Sequence, residues 1–294
     1  MHGRRLARAA VLIELPGNLR EQVAAALRED VGTGDLTAGL IPPDQKVEGR
    51  VIAREPGVLC GTAWFNEVFA QLSPAIVLQW QYQDGDSVEA ESTLVTISGP
   101  ARAVLTGERT ALNFLQTLCA TASAARRFVD AVAGTGCRIL DTRKTLPGLR
   151  LAQKYATRCG GAQNYRIGLY DMVLIKENHI VAAGSLEAAI RSARSLHNAI
   201  KVEVEVESLA EFDRALAARA DIIMLDELSQ ADMREAVARN RRAGAPCQLE
   251  ASGSVNLSTV RAIAATGVDF ISVGSITKHI QALDLSMRLT FAAR

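Results

Sequence analysis

From residue 137 onward, short apolar runs alternate with segments in which apolar residues recur at helical spacing. We predict strands at Arg138–Leu140, Met172–Ile175, Lys201–Val206, Ile222–Leu225, Gln248–Ala251 and Phe270–Val273. The segments predicted to be helical between them include Ser185–Ser195, Leu209–Ala218, Ala231–Arg242 and Leu257–Ala265. Strands that alternate with helices at this spacing indicate βαβ units and a parallel sheet.

The first part of the chain has a mixed pattern. Apolar residues at helical spacing predict a helix over Leu19–Arg28, and two glycines within Glu29–Thr37 predict a loop after it. Alternating runs within Val47–Cys60 and Ile76–Ile97 predict short antiparallel strands. Further helices are predicted over Trp64–Leu72 and from about Arg102 to Ala133.

Each predicted strand of the second part ends in charged or small residues, which favours a barrel over an open sheet. These residues are Asp141-Thr142-Arg143-Lys144, Lys176, Glu205, Asp226, Ser252-Gly253 and Gly274-Ser275. In a βα-barrel the carboxyl ends of the strands build the active site, and loops after the last strands commonly hold a phosphate. Serine and glycine after the last two strands leave backbone N–H groups accessible to an anion. No predicted strand is followed by a GxGxxG motif, which disfavours a doubly wound dinucleotide-binding domain.

Composition narrows the class of protein. Of 294 residues 48% are hydrophobic, and the formal net charge of +1 favours neither nucleic acid nor an anionic membrane as a partner. No apolar run approaches the ~20 residues of a membrane span. The run Ala9–Ile13, behind three N-terminal arginines, is too short for a signal peptide. The cysteines stand singly, without the spacing of a disulfide framework or a zinc site, so we expect a reduced, cytoplasmic protein. These cysteines are Cys60, Cys119, Cys137, Cys159 and Cys247.

Carboxylates follow two neighbouring predicted strands. The segment Lys201–Glu207 alternates valine with glutamate, so the valines either face helices with the glutamates inside a barrel, or lie on a half-exposed edge strand. Asp226 at the end of the next strand favours the barrel interior, because buried carboxylates need cations or a metal. We therefore predict that Glu205 and Asp226 hold a Mg²⁺ ion that carries a polyphosphate.

Cations are predicted at the same edge of the sheet. Arg143, Lys144, Arg166 and Lys176 lie at strand ends or in the loop between them. Each alone is more often a solvated side chain, but together at one barrel mouth they would bind a carboxylate or phosphate. For His179 a structural role and a catalytic role both stay open. The chain shows no Ser/His/Asp or Cys/His arrangement, so covalent catalysis is not favoured.

Several motifs in sequence order resemble those of the quinolinate phosphoribosyltransferase family. The central ones are Asp141-Thr-Arg-Lys-Thr145, Pro147-Gly-Leu-Arg150, Lys154-Tyr155, Cys159-Gly-Gly161, Asn164, Arg166-Ile-Gly-Leu169, Asp171 and Ile175-Lys-Glu-Asn-His179. The flanking ones are Glu29–Thr37, Gly107–Phe114, Glu203-Val-Glu205, Leu225-Asp226, Glu250-Ala-Ser-Gly253 and Ser272-Val-Gly274. The resemblance extends over nearly the whole chain.

The resemblance implies an α/β fold with an N-terminal α/β open sandwich domain (1–117) and a C-terminal βα-barrel (118–294). Residues after about Asp284 would pack back on the first domain. The implied activity is transfer of the phosphoribosyl group of phosphoribosyl pyrophosphate to quinolinate, with loss of carbon dioxide, in de novo NAD biosynthesis. It gives nicotinate mononucleotide and pyrophosphate.

The resemblance also implies roles for individual residues. Catalytic roles would fall to Lys144, Lys176, Glu205 and Asp226, with Mg²⁺ at the last two. Substrate contacts would further involve Thr142, Arg143, Tyr165, Arg166, Ser252, Gly253, Ser254, Val273, Gly274 and Ser275. Arg109 would enter the site of the neighbouring subunit, which makes a homodimer the functional unit.

Four positions depart from the family pattern. Ala162 stands where a third glycine is usual, Tyr165 where a histidine is often found, Leu146 where a small polar residue is common, and Ser254 where a glycine is frequent. None of them removes a cation, so we expect activity to be kept.

Two other classes of function are compatible with parts of the sequence. One is a phosphoribosyltransferase for nicotinate or another carboxylated base, or a paralogue associated with molybdate transport. The other is a carrier module, because Asp84–Val88 and Gly99 resemble turns of a biotinyl or lipoyl domain. No lysine lies between Lys46 and Lys144, so a swinging-arm attachment site is missing from that segment.

Overall fold

The computed structural model describes residues 14–291. The arginine-containing N-terminal segment considered above lies outside the described residues, as do residues 292–294. Within the described part, no helix has the length and apolar character needed to cross a bilayer.

The first domain is built on an antiparallel sheet of four strands packed against helices. Its elements are α1 (Leu19–Val31), β1 (Lys46–Ala53), β2 (Gly57–Val58), α2 (Thr62–Leu72), β3 (Val77–Trp80), β4 (Ser87–Val88) and β5 (Thr93–Pro100). The predicted loop over Glu29–Thr37 begins later than expected, because Glu29, Asp30 and Val31 continue α1 until Gly32, whose φ of 55° ends the helix. The apolar faces of α1, α2 and the sheet form one core.

The long helix α3 (Ala101–Ala131) joins the two domains. Its first turns pack in the core of the first domain, whereas Ala125 and Phe128 belong to the core of the second. Residue 117 therefore lies within a continuous helix rather than in a linker. The helix ends two residues before the predicted Ala133.

The second domain alternates strands with helices, as the sequence predicts. Its elements are β6 (Arg138–Leu140), α4 (Arg150–Cys159), β7 (Val173–Ile175), α5 (Glu177–Ala183), α6 (Leu186–Leu196), β8 (Val202–Val206), α7 (Leu209–Ala217), β9 (Ile222–Asp226), α8 (Gln230–Arg242), β10 (Gln248–Ser252), α9 (Val260–Ala264), β11 (Phe270–Ser272) and α10 (Ser275–Lys278). The six strands are parallel in the order β6-β11-β10-β9-β8-β7. The predicted helix Leu257–Ala265 is shorter, because Asn256 and Thr259 form a hydrogen-bonded turn before it.

The valines and the glutamates of β8 lie on opposite faces of the strand. Val202, Val204 and Val206 are buried in the core formed with the surrounding helices. Glu203 and Glu205 point the other way, into the space that the sheet encloses, where they bind other side chains. The hypothesis of a barrel strand with inward glutamates is confirmed, and the half-exposed edge strand is excluded.

The last strand, β12 (Leu285–Phe291), returns to the first domain. It pairs antiparallel with β1 from Val47↔Phe291 to Ala53↔Leu285, so the sheet order there is β12-β1-β5-β3. The chain therefore returns to the first domain after the second domain, and its last strand pairs with its first.

Candidate active site

The predicted site residues lie at the carboxyl ends of the parallel strands of the second domain. Lys176 follows β7, Glu205 lies in β8, Asp226 ends β9, Ser252 ends β10 and Gly274 follows β11. Because all six strands run in the same direction, these ends share one edge of the sheet. This edge is the mouth of the barrel.

A buried ion pair holds the segment after α4 against the end of β6. Asp141 and Lys154 are 0% and 2% exposed, and Lys154 Nζ lies 2.6 Å from Asp141 Oδ1. The same carboxylate accepts hydrogen bonds from Asn164 Nδ2 (2.7 Å) and from the backbone N–H of Tyr165 (2.8 Å), while Lys154 also donates to the Tyr165 carbonyl. Burial raises the pKa of Asp141 and lowers that of Lys154, and the opposite charge of the partner counteracts both shifts. The pair thus fixes the backbone that carries Arg166.

Three arginines come together beside this segment. Arg150 donates to the carbonyl groups of Arg143 and Ile167, which orders the loop after β6. Burial, followed by the positive charges of Arg166 and Arg150, lowers the pKa of Arg143, although a guanidinium stays charged at neutral pH. The Nε atoms of Arg143 and Arg166 are buried without a hydrogen-bond partner in residues 14–291. Such a cluster of like charges is stabilised by an anion.

Lys144 extends over the backbone at Gly274. A Cβ atom at position 274 would lie 3.1 Å from Lys144 Cδ and 3.5 Å from Thr142 Oγ1, so glycine leaves room for the lysine there. Thr142 Oγ1 accepts the Lys144 backbone N–H, and Thr277 Oγ1 donates to the Lys144 carbonyl. Thr142, Lys144, Gly274 and Ser275 are therefore adjacent. Val273 is 1% exposed within the core, so only its backbone can face a ligand.

The other predicted phosphate loop, Ser252-Gly253-Ser254, carries a neighbour that the sequence did not indicate. Gly253 and Ser254 have φ angles of 96° and 39°, which explains why glycine is favoured at both positions. Ser254 Oγ donates to Glu227 Oε1 at 2.8 Å, and a Cβ at position 253 would lie 2.4 Å from Glu227 Cδ. Glu227 follows Asp226 directly and has a φ of 51°, a backbone conformation that no sequence pattern predicted.

Glu205 and Asp226, the predicted Mg²⁺ ligands, lie at the carboxyl ends of neighbouring strands. Glu205 forms an ion pair with Lys176, and Asp226 makes no side-chain hydrogen bond or ion pair within the described part of the chain. Val206 pairs with Leu225 across β8 and β9, which places Asp226 two residues further toward the mouth than the level of Glu205. Both groups offer the carboxylate oxygens that Mg²⁺ prefers, with substrate oxygens to complete the coordination.

Tyr165 points into the barrel and not freely into the mouth. Its phenol donates a 2.5 Å hydrogen bond to Glu203 Oε2, and Glu203 is 0% exposed. Burial raises the pKa of Glu203 to about 7 and raises that of Glu250, on β10, well above its ordinary value. The Arg166 guanidinium lies 5.8 Å from the centre of the Tyr165 ring. Glu203 and Glu250 were not among the predicted site residues, although both are acidic residues at inward positions of predicted strands.

Two models of the same family match the chain. The C-terminal domain of quinolinate phosphoribosyl transferase matches residues 121–288, and the N-terminal domain of quinolinate phosphoribosyl transferase matches residues 34–119. The chain belongs to the quinolinate phosphoribosyltransferase family. The resemblance noted in the motifs is thereby confirmed, together with the two-domain α/β fold that it implies.

Curated relatives and solved structures of this family cover nearly the whole chain. A probable nicotinate-nucleotide pyrophosphorylase (carboxylating) of Synechocystis sp. is 40% identical over 264 residues, which are 90% of each chain. The nicotinate-nucleotide pyrophosphorylase (carboxylating) of Mycobacterium leprae is 38% identical and covers 92% of this chain and 96% of its own. The structure of the nicotinate-nucleotide pyrophosphorylase from Francisella tularensis superposes with a TM-score of 0.91 at 45% identity, over 95% of this chain and 98% of that one.

The structure accommodates the departures from the family pattern. Gly160 approaches α3 so closely that a Cβ there would lie 2.4 Å from the Ala122 carbonyl oxygen, and Gly161 has a φ of 94°. Ala162 has no positive φ and packs in the core, so a third glycine is not required. The backbone N–H of Leu146 donates to Gln153 Oε1, a contact that does not depend on its side chain.

His179 has a structural partner. Its Nδ1 accepts the backbone N–H of Lys176 at 3.0 Å, which caps the start of α5 behind the lysine. Of the two roles left open by the sequence, the structure supports the structural one.

Arg109 lies on α3 and not at a strand end of the second domain. It is exposed on α3, and within residues 14–291 its side chain makes no hydrogen bond or ion pair. The prediction that it binds substrate across a subunit interface stays a prediction.

Three of the five cysteines lie close together in the core of the first domain, against which Cys159 at the end of α4 packs, although they stand apart in sequence. The Sγ atoms of Cys60 and Cys159 and a carboxylate oxygen of Asp84 lie within 4.8 Å of one another, and Cys119 hydrogen-bonds to the Cys60 backbone. The Asp84 carboxylate already accepts the N–H groups of Gly61 and Thr62 and the phenol of Tyr155. Burial raises the pKa of the Cys119 thiol to about 12. We interpret the group as a helix cap beside inert, packed thiols.

Proposed function

We propose that this chain transfers the phosphoribosyl group of phosphoribosyl pyrophosphate to quinolinate, with loss of carbon dioxide, to give nicotinate mononucleotide and pyrophosphate. The observation that carries the proposal is the cluster of Arg143, Arg150 and Arg166 at the mouth, with two guanidinium Nε atoms buried and unpartnered in the described structure. A substrate with two adjacent carboxylates supplies the charge and the bidentate acceptors that this cluster needs.

Different residues of the mouth would bind the two substrates and stabilise the charges that develop in the reaction. Arg143 and Arg166 would bind the carboxylates and orient the pyridine nitrogen toward the anomeric carbon of the ribose. Positive charge grows on the ribose in the transition state and negative charge on the departing pyrophosphate. Glu205 would stabilise the positive charge on the ribose, and Lys144 and Lys176 would stabilise the negative charge on the pyrophosphate. Holding both substrates in line contributes most of the remaining acceleration.

Mg²⁺ is part of the proposal. Glu205 and Asp226 would hold it, and the ion would supply positive charge to the pyrophosphate group. Asp226 supports this role because its carboxylate has no protein partner in residues 14–291, whereas a buried or semi-buried carboxylate usually has one.

The proposal includes a homodimer and a cytoplasmic location. Arg109 is exposed and makes no side-chain hydrogen bond or ion pair with residues 14–291, and this supports a subunit contact, because an arginine that enters a neighbouring site needs no partner in its own chain. All five cysteines are free thiols, the state expected in a reducing compartment.

The deciding experiment is a product assay with quinolinate, phosphoribosyl pyrophosphate and Mg²⁺. We expect nicotinate mononucleotide, pyrophosphate and carbon dioxide in equal amounts, and much poorer turnover of nicotinate, because one carboxylate leaves part of the arginine cluster unpaired. Efficient turnover of nicotinate without carbon dioxide would contradict the assignment and favour the phosphoribosyltransferase for a monocarboxylated base. No turnover of either base would favour the transport-associated paralogue.

Removal of Mg²⁺ and of its proposed ligand should affect one substrate more than the other. We expect a chelator to abolish activity, and Asp226→Asn to weaken the use of phosphoribosyl pyrophosphate by at least tenfold, about 1.4 kcal/mol, while quinolinate binding changes little. The measurements are KM for each substrate and calorimetric binding of quinolinate. Wild-type kinetics in Asp226→Asn at limiting Mg²⁺ would exclude the role.

A further inference from the structure

Two non-glycine residues with positive φ angles touch each other at the mouth of the barrel. Glu227 has a φ of 51° and Ser254 a φ of 39°, and they come after the carboxyl ends of the neighbouring strands β9 and β10. Residues other than glycine adopt this conformation at a cost in free energy, and they keep it where surrounding contacts hold them, often at functional sites. The contacts between these two residues are therefore of interest for the function of the mouth.

Glu227 is tied to the loop Ser252-Gly253-Ser254 at three points. Its backbone N–H donates to the Ser252 carbonyl at 3.1 Å, and its Oε1 atom accepts the Ser254 hydroxyl at 2.8 Å. Between these hydrogen bonds the Glu227 side chain crosses Gly253 so closely that a Cβ atom there would lie 2.4 Å from Cδ and 2.7 Å from Cγ. The segment after β9 thus holds the loop after β10 in its conformation.

The same loop carries backbone donors that have no partner. The N–H groups of Gly253, Ser254 and Val255 make no hydrogen bond within residues 14–291. Successive free N–H groups in such a turn form a concave binding site for an anion, for example a phosphate group. The one proton of the Ser254 hydroxyl is donated to Glu227, so the loop offers an anion its backbone N–H groups and not this hydroxyl.

The negative charge of Glu227 does not explain its place beside this loop. A carboxylate repels a phosphate group, so direct attraction to the ligand gives no reason for a glutamate here. Glu227 is exposed, and solvent weakens the repulsion. Its two hydrogen bonds to the loop and its packing on Gly253 give the residue a positional role instead, and we expect this effect to exceed the repulsion.

We propose that Glu227 is a positioning residue for the loop Ser252-Gly253-Ser254: it fixes the conformation in which the free N–H groups bind the 5′-phosphate of phosphoribosyl pyrophosphate. Glu227 itself does not touch the substrate. The Ser254 side chain is bound to Glu227, and only the Ser254 backbone contacts the phosphate. The proposal rests on the proposed function, because that function makes phosphoribosyl pyrophosphate the ligand of the loop.

The first test separates the position of Glu227 from its charge. Glu227→Gln keeps an oxygen that accepts the Ser254 hydroxyl, so KM for phosphoribosyl pyrophosphate should stay within about threefold of wild type. Glu227→Ala removes the contact as well as the charge and should raise this KM roughly three- to tenfold, with kcat and KM for quinolinate nearly unchanged. A lower KM in both variants would show that only the repulsion matters. That result, or equal KM values in Glu227→Ala and Glu227→Gln, would overturn the proposal.

The hydrogen-bond partner and a distant glutamate complete the comparison. Ser254→Ala removes the donor and should raise KM for phosphoribosyl pyrophosphate about as much as Glu227→Ala does. The double variant should be little worse than either single one, because both changes break the same contact, whereas fully additive effects would contradict the proposal. Glu91→Ala is the matched control: Glu91 also has a positive φ, of 64°, and a hydrogen-bonded carboxylate, but its partner is Arg54 in the first domain. It should leave both KM values unchanged.

The second test does not depend on turnover. Ribose 5-phosphate has the 5′-phosphate but no pyrophosphate group, so its binding reports on the loop and not on the residues proposed to hold Mg²⁺. In calorimetric titrations we expect Glu227→Ala to bind ribose 5-phosphate roughly three- to tenfold more weakly than wild type and Glu227→Gln do. If this loss is seen but the wild type does not turn over quinolinate, only the proposed function is contradicted. If the wild type turns over quinolinate and Glu227→Ala binds ribose 5-phosphate as tightly as the wild type, the positioning role of Glu227 is wrong and the proposed function stands.

Discussion

Replacement of Lys154 by methionine is expected to cost about 3–5 kcal/mol of unfolding free energy, because it leaves the Asp141 carboxylate buried without a counter-charge. For a protein of this size the thermal midpoint should fall by roughly 5–15 °C. Asn164 and the Tyr165 backbone still donate to Asp141, but neither carries charge. Activity should fall as well, since the released segment carries Arg166. Thermal unfolding and kcat/KM measure the two effects.

Two further variants test the cause of this loss. Arg214→Met breaks the ion pair of Arg214 with Glu187 on the surface, where solvent screens the charges, and should leave the thermal midpoint nearly unchanged. Asp141→Asn combined with Lys154→Met removes both buried charges and should recover part of the lost stability. If the double variant is less stable than Lys154→Met alone, the uncompensated carboxylate is not the reason for the loss.

The order of strands and helices in the second domain could be predicted because each strand buries one face under helices. Val202, Val204 and Val206 alternate with Glu203 and Glu205, a period of two that only a strand gives. A strand end that carries Asp226 or Ser252-Gly253 could be assigned to the mouth, since parallel strands place their carboxyl ends at one edge. The family motifs identified the rest of the site.

The partners inside the site could not be predicted, because they depend on contacts between residues distant in sequence. Tyr165 and Glu203 are 38 positions apart, and nothing in either segment indicates that the phenol turns inward. The position of a histidine in related sequences favoured a substrate contact for Tyr165. The hydrogen bond to Glu203 now offers a different explanation for the same residue.

Unusual local backbone geometry is a second reason why some contacts of the site could not be predicted from the sequence. Glu227 and Ser254 adopt positive φ angles that non-glycine residues rarely show, so no propensity predicts the contact between their side chains. The cysteines also could not be placed from the sequence, because Cys60 of the first domain and Cys159 of α4 are 99 positions apart and yet belong to one group of close side chains.

Homodimers of Arg109→Ala and of Lys176→Ala are both expected to be nearly inactive. Arg109 has no partner in its own chain within the described residues, and at a neighbouring mouth it would pair with a buried carboxylate of the substrate. Loss of such a contact costs roughly 2–5 kcal/mol, which is about 30-fold to several thousandfold in kcat/KM. Lys176→Ala removes a cation from the mouth itself and leaves Glu205 without its ion-pair partner.

Mixed dimers of these two variants should regain activity. In a twofold dimer, one mouth would combine Lys176 of one chain with Arg109 of the other, and the second mouth would lack both. The mixed dimer should therefore reach up to about half of the wild-type activity, since one site of two is whole. The experiment is co-expression of the variants with two affinity tags, purification of dimers that carry both, and measurement of kcat with quinolinate. Arg127→Ala is the matched control, because this exposed arginine lies about 27 Å further along the same face of α3, and its removal should leave activity unchanged. Mixed dimers as inactive as their parents would show that Arg109 acts within its own chain or only in folding.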